Sequence, residues 1–249
     1  MKIAYLTPYN LQDQVNWPTS QPGLCQAAYY LAQEFSEQSI NLDYLGPLEK
    51  RFSLITRLKW SFYRQFFNKD YYRWAEPIVV KNQGQQVSKQ LAKLKSDIVL
   101  CPDNALPLAY LNCQQPLVLW TDSTLASLID FYPYLSNLCT ETANNIRRLE
   151  KATLQRCQLI LYTSDWAAQK AQEFYHIDSS KIKVIPWGAN LDFSPNEDEV
   201  RMIINSRPSS PCKLLFFGVD WQRKGGDIAL KVAKKLNQLG IVTQLVVVG

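Results

Sequence analysis

The feature that most constrains this chain is a series of short, nearly unbroken apolar runs separated by segments of helical periodicity. KIAYLT comes first, NLDYLG follows one helical segment, and DIVLCP, PLVLWT, QLILYT and KVIPWG come later. A strand that faces solvent on one side alternates apolar with polar residues; runs without alternation belong to strands covered on both faces. Helical patterns occupy Gly23 to Gln38, Val87 to Lys95, Thr140 to Gln155 and Asp165 to Tyr175, the last opened by Ser164 as a cap. Strand and helix in alternation predict a doubly wound α/β layer. Its crossovers are right-handed, and its ligands sit beyond the carboxyl ends of the strands.

The pattern restarts near the end. From Lys213 to Gly249 the chain reads KLLFFG, a loop VDWQRKGGD, a helix IALKVAKKLNQLG and a second run VTQLVVVG. A basic, glycine-containing loop that opens a helix after an apolar strand suits a phosphate, because N–H groups and the positive end of the helix dipole converge there. Gly218 ends the strand, Gly225 and Gly226 permit close backbone approach, Arg223 and Lys224 bring charge, and Asp227 suits a helix cap. The same composition also suits a solvated surface turn. The loop lacks the GKS/T ending of a P-loop and the G-x-G-x-x-G spacing of a dinucleotide site. Near the N-terminus, the loop from Tyr9 to Pro22 leads to a lone glycine, Gly23, and reads as a long substrate-facing loop.

Between Pro195 and Pro211, proline and serine flank a short helical stretch from Glu197 to Asn205, the signature of an inter-domain connection. The expected organisation is a first domain over 1–194, a linker over 195–211 and the beginning of a second domain over 212–249. One β-α-β unit is too small to bury both faces of its strands, so the segment after Pro211 is expected to be poorly soluble or partly unfolded.

Charge and composition narrow the function. A net charge of +5 permits an anionic substrate or membrane surface and gives no reason to expect nucleic acid. No run is apolar for long enough to span a bilayer, and MKIAYLTPYN turns polar too soon for a secretory signal; scattered cysteines read as reduced thiols, so a cytoplasmic location is expected. The six cysteines form no CxxC pair and the single histidine, His176, cannot complete a zinc site, so no metal is expected. One region breaks the α/β rhythm: from Lys50 to Trp74, basic and aromatic residues interleave. It reads as a helical insertion with its rings on the core, as a membrane-surface helix preferring anionic lipid, or as an acceptor site whose rings stack on a sugar or lipid.

Four stretches carry a resemblance to the family 4 retaining glycosyltransferases of the GT-B fold. They are the opening strand, polar loop and helix with Gly23; PLVLWTDSTLASLIDFYP, Pro116 to Pro133; ILYTSDWAAQKAQEFYHIDSSKIKVIPWGANLDFSP, Ile160 to Pro195; and LLFFGVDWQRKGGDIAL, Leu214 to Leu230. The resemblance implies one complete Rossmann-like domain for the acceptor and the first β-α-β unit of a second Rossmann-like domain for a nucleotide-diphosphate sugar. It implies no cofactor and no metal. Lys224 matches the family's diphosphate lysine, beside Gly218 and Gly225. The family's arginine position is Val219 here, which leaves Arg223 as the local substitute. Where many members carry a histidine, this chain has Thr121 and Asp122; Asp122 orients a sugar hydroxyl, helps deprotonate the acceptor, or caps the following helix.

The family's acidic E-x7-E region has no counterpart in this sequence, so the chain is expected to be an incomplete, inactive fragment. The expected activity is sugar transfer with retention of configuration to a glycan, lipid or protein acceptor, in the cytoplasm or peripherally at the inner face of the membrane through residues 50–74. The alternative is a non-catalytic module that binds a glycan or lipid acceptor. A nicotinamide-dependent oxidoreductase shares the fold class but needs a glycine fingerprint that is missing.

Overall fold

Six parallel strands form the main sheet: β1 (Lys2–Leu6), β2 (Asn41–Leu45), β3 (Ile98–Cys101), β4 (Leu117–Thr121), β5 (Leu159–Tyr162) and β6 (Ile182–Val184), in the order β2-β1-β3-β4-β5-β6. A computed structural model describes residues 1–18, 22–49, 51–102 and 106–249; Lys50 and positions 19–21 of the N-terminal loop lie outside the described residues. The chain divides into two units, Met1–Leu191 and Asp192–Gly249.

In the first unit the sheet is covered on both faces, which explains the absence of alternation in its strands. Ile3 and Tyr5 of β1, with Leu100, Val118 and Leu161, meet Cys25, Ala28 and Ala32 of α1 (Pro22–Glu37). Their neighbours Ala4 and Leu6, with Val99, Leu119 and Ile160, point the other way. There they join Val87 and Leu91 of α3 (Pro77–Leu91), Leu154 of α5 (Thr140–Arg156), and Ala167 and Ala171 of α6 (Asp165–Tyr175). β1 has β2 on one side and β3 on the other, so winding reverses between β1 and β3. Doubly wound sheets place their ligand crevice at the carboxyl ends flanking such a reversal.

Two elements differ from the sequence expectation for identifiable reasons. α3 starts at Pro77, ten residues before the expected Val87. Ile78, Val79 and Val80 dilute its helical signal, whereas Pro77 at the first turn fits a helix start. Gly84 sits mid-helix at an intrinsic cost of about 1 kcal/mol relative to alanine. A Cβ there would come within 3.0 Å of Pro107 O and of Tyr110, so the glycine allows a close crossing. β6 stops at Val184, short of the run KVIPWG, because Pro186 has no N–H to extend the ladder. The interval Lys50 to Trp74 contains a helical insertion, α2 (Ser53–Phe67), and α4 (Leu125–Leu128) is a single turn after β4.

In the second unit, α7 (Glu197–Asn205) forms over the residues expected, opened by a capping box between Asn196 and Glu199. β7 (Cys212–Phe217) and β8 (Thr243–Val248) make a parallel pair joined through α8 (Gly226–Gln238), with Leu214 opposite Leu245. Within this unit Phe216, Gly226 and Ala233 are buried, while the residues on the opposite side of β7 and β8 are exposed.

Candidate functional site

The loop between β7 and α8 is built around its glycines. Gly218 donates its N–H to Val248 O at 2.9 Å, and a Cβ on Gly249 would lie 2.3 Å from Gly218 O, so the carboxyl ends of both strands are bare main chain in close approach. A Cβ on Gly218 would sit 3.0 Å from Lys224 Cγ: the lysine stem lies directly across this glycine. Gly225, at φ +80°, turns the chain into α8 in a conformation that favours glycine. Trp221 lies flat on Gly226, where a Cβ would come within 2.3 Å of the ring, and meets Phe216 edge-on at 5.2 Å. The indole thereby fixes the loop against the only large buried side chain of this unit.

Charge in the loop is unequally placed. Arg223 Nε stands 3.5 Å from Asp220 Oδ2, whereas Lys224 forms no ion pair among the described residues. Backbone donors are mostly consumed inside the loop: the N–H of Arg223 goes to Asp220 Oδ1, that of Lys224 to Asp220 O, that of Gly225 to Gln222 O and that of Gly226 to Trp221 O. The expected convergence of main-chain N–H groups is therefore replaced by one exposed ammonium beside the positive end of α8. Asp227 does not cap the helix. Gly225 occupies the cap position, and the Asp227 carboxylate faces Lys231 Nζ at 3.8 Å.

The remaining candidates lie in the first unit. Asp122 is exposed just after β4 and accepts a hydrogen bond from Ser123 Oγ at 3.0 Å. It is not the cap of α4; Thr124 is, its hydroxyl accepting from Ser127 N at 3.3 Å. Gly23 is exposed in the first turn of α1, with open space where a Cβ would be. Ser164 caps α6 as its position predicts, and His176 closes the same helix at φ 52°.

Sequence reasoning missed Glu150. Midway along α5, it accepts hydrogen bonds from Leu125 N at 2.5 Å, Ala126 N at 3.0 Å and Tyr175 Oη at 2.5 Å. It thus holds the start of α4, directly after Asp122, and ties it to α6. Burial pushes its carboxyl up to about 7 even though all three donors pull the other way. The available signal was its spacing: Glu150 falls four residues from both Ile146 and Leu154, on the buried stripe of α5.

No family model matches the chain, and no curated protein does. Among solved structures, the chain is similar to a glycosyltransferase from Rickettsia africae ESF-5, with 14% identity and a TM-score of 0.40 over 100% of this chain and 68% of that one. It is also similar to HepE from Anabaena, solved in complex with UDP and glucose, with 13% identity and a TM-score of 0.39 over 100% of this chain and 70% of that one. Likeness at this level assigns no residue a role.

Proposed function

We propose that this chain is a glycosyltransferase of the GT-B type, moving a sugar from a nucleotide-diphosphate donor to a glycan, lipid or protein acceptor with retention of configuration. The observation that carries the reading is Lys224, laid over Gly218 at the bare carboxyl edge of β7 and β8 with no acidic partner among the described residues. As the sugar–phosphate bond breaks, negative charge builds on the leaving diphosphate. Lys224 and the positive end of α8 lie where that charge is stabilised, and a preorganised donor of this kind is typically worth about 3 kcal/mol of barrier. Arg223 supplies a second cation, moderated by Asp220. These cations and the helix dipole stand in the role that a metal plays in other diphosphate sites. In the first unit, Asp122 is assigned to orienting the acceptor hydroxyl, since Thr124 has taken the capping task.

Calorimetric titration of the chain with UDP and UDP-sugars tests the donor site. Wild type binds the diphosphate and discriminates against the monophosphate. Lys224→Ala weakens diphosphate binding by roughly tenfold or more, as expected for a charge-assisted contact, without shifting the melting temperature. Equal affinity in wild type and variant would remove Lys224 from the site and the reading with it.

A further inference from the structure

Helix α2 is mounted with its polar side inward. Lys59 reaches into the first unit, its Nζ 3.1 Å from Glu76 Oε2 and 2.6 Å from Glu141 Oε1. Tyr63 donates to Glu141 at 2.8 Å, and Tyr71 donates to the same Glu76 at 2.6 Å. Burial alone would lower the Lys59 pKa, but its bonds to Glu141 and Glu76 outweigh this and raise it. Leu54 and Leu58 lie on the far side, and Phe62 and Phe66, at the same spacing of four, continue the row obliquely around the flank toward the end of the helix. Leu54 and Phe66 are each 72% exposed and Leu58 is 66% exposed. The reading of this segment as rings turned onto the core holds for Tyr71, which is buried, and for Tyr63, stacked on it at 5.8 Å; it is corrected for Trp60, Phe62, Phe66 and Phe67, which are exposed.

What meets such a surface is indicated by charge. Between Arg51 and Arg73 stand six basic residues against one acid, Asp70, an excess equal to the +5 of the entire chain; the rest of the sequence is balanced. Beside the row lies an open concavity of about 580 Å³ lined by Leu54, Arg57, Leu58, Trp60, Ser61 and Arg73. Neither arginine forms an ion pair among the described residues, and Arg73 Nε is buried without a hydrogen-bond acceptor. The open surface of the concavity is apolar and two arginines are among the residues that line it, a combination that suits the interface of an anionic bilayer. A second copy of the chain would set this basic rim against itself. No helix among the described residues is long and apolar enough to cross a bilayer, which leaves attachment in the interface plane.

We propose that α2 docks on an anionic lipid bilayer, with the row Leu54, Leu58, Phe62 and Phe66 inserted and the basic residues around it, Arg57 and Arg73 among them, drawn to the anionic headgroups. The proposal is independent of the donor site.

Co-sedimentation of the full chain with phosphatidylcholine vesicles, with and without phosphatidylglycerol, tests it. The anionic vesicles capture the chain and the neutral ones do not. Arg57→Gln and Arg73→Gln each weaken capture roughly fivefold, and salt weakens it further. Leu58→Ser combined with Phe62→Ser abolishes capture. Melting temperatures hold for Arg57→Gln and for the serine pair, whose side chains are exposed; if the serine pair unfolds the chain, Arg57→Gln decides. Equal capture by both vesicle types, or by neither, overturns the proposal. So does tight binding of inorganic phosphate or glycerol phosphate without vesicle capture, which would make the concavity a soluble-ligand site. A dimer in sedimentation that the serine pair dissolves, again without vesicle capture, would make α2 a protein interface.

Discussion

The two sheets of this molecule are made from the same part, a parallel strand–helix–strand crossover, and differ in what surrounds it. In the first unit Tyr5 and Ile160 are fully buried; in the second, Leu215 and Phe217 are 70% and 77% exposed. Five of the six residues of β7 and four of the six of β8 are apolar, Leu215 and Phe217 among them, so residue type does not explain the gap. The cause is layering. Helices cover both faces of the six-stranded sheet, while α8 meets the face of β7 and β8 that bears Leu214, Phe216 and Leu245. Local pattern decides that a strand forms; neighbours decide how much the strand contributes to stability.

Amide hydrogen exchange offers the largest contrast. The amides of β1, β3, β4 and β5 exchange with the global unfolding of the first unit, whereas those of β7 and β8 open locally and exchange several orders of magnitude faster. Equal protection in the two sheets would break the comparison at its root.

Next in size is the buried anchor of the first unit. Glu150→Ala strands the N–H groups of Leu125 and Ala126 and the hydroxyl of Tyr175, and lowers stability by about 3 kcal/mol. The loss shows in the melting of the first unit and leaves exchange in β7 and β8 unchanged. The same residue sets a pH dependence. Its folded pKa of about 7 lies above the ordinary value of 4.5, so the folded unit holds the proton more tightly than the unfolded chain. The contribution is therefore fully present below pH 4.5 and declines as pH rises from there through 7, by on the order of a few kcal/mol. Urea melts across that range should show the slope in wild type, and Glu150→Gln should flatten it; an unchanged slope would assign the titration to another group.

The smallest effect sharpens the contrast from the other side. Phe217→Thr on the bare face of β7 changes stability by less than about 0.5 kcal/mol and raises solubility, measured by denaturant melting and by the concentration at which the chain precipitates. A loss of several kcal/mol would mean that this face is covered after all.

Much of this could be read from the residues. The unbroken runs gave β1, β3, β4 and β5, and Ser164 and the 197–205 stretch gave two helices, because each signal is local. What failed was decided at a distance. Pro77 to Val87 looked unlike a helix because the reason for Gly84, the close crossing near Tyr110, lies outside the segment. Asp122 and Thr124 are both good caps by type, and only geometry separates them. Glu150 was lost among the charges of RRLEK, since its three donors come from two other helices. In α2 the composition was legible but the facing was not: Lys59 turns inward for the sake of Glu76 and Glu141, both remote in sequence.

That inward lysine fixes the roll of α2 about its own axis. A helix free to rotate would tuck Leu58 and Phe62 beneath itself in water and bring them out only on contact. Gripped by one carboxylate near the start of α3 and another in the first turn of α5, it has no such sheltered posture. Its adhesiveness is a standing property of the fold, present from the moment the first unit assembles and requiring no trigger.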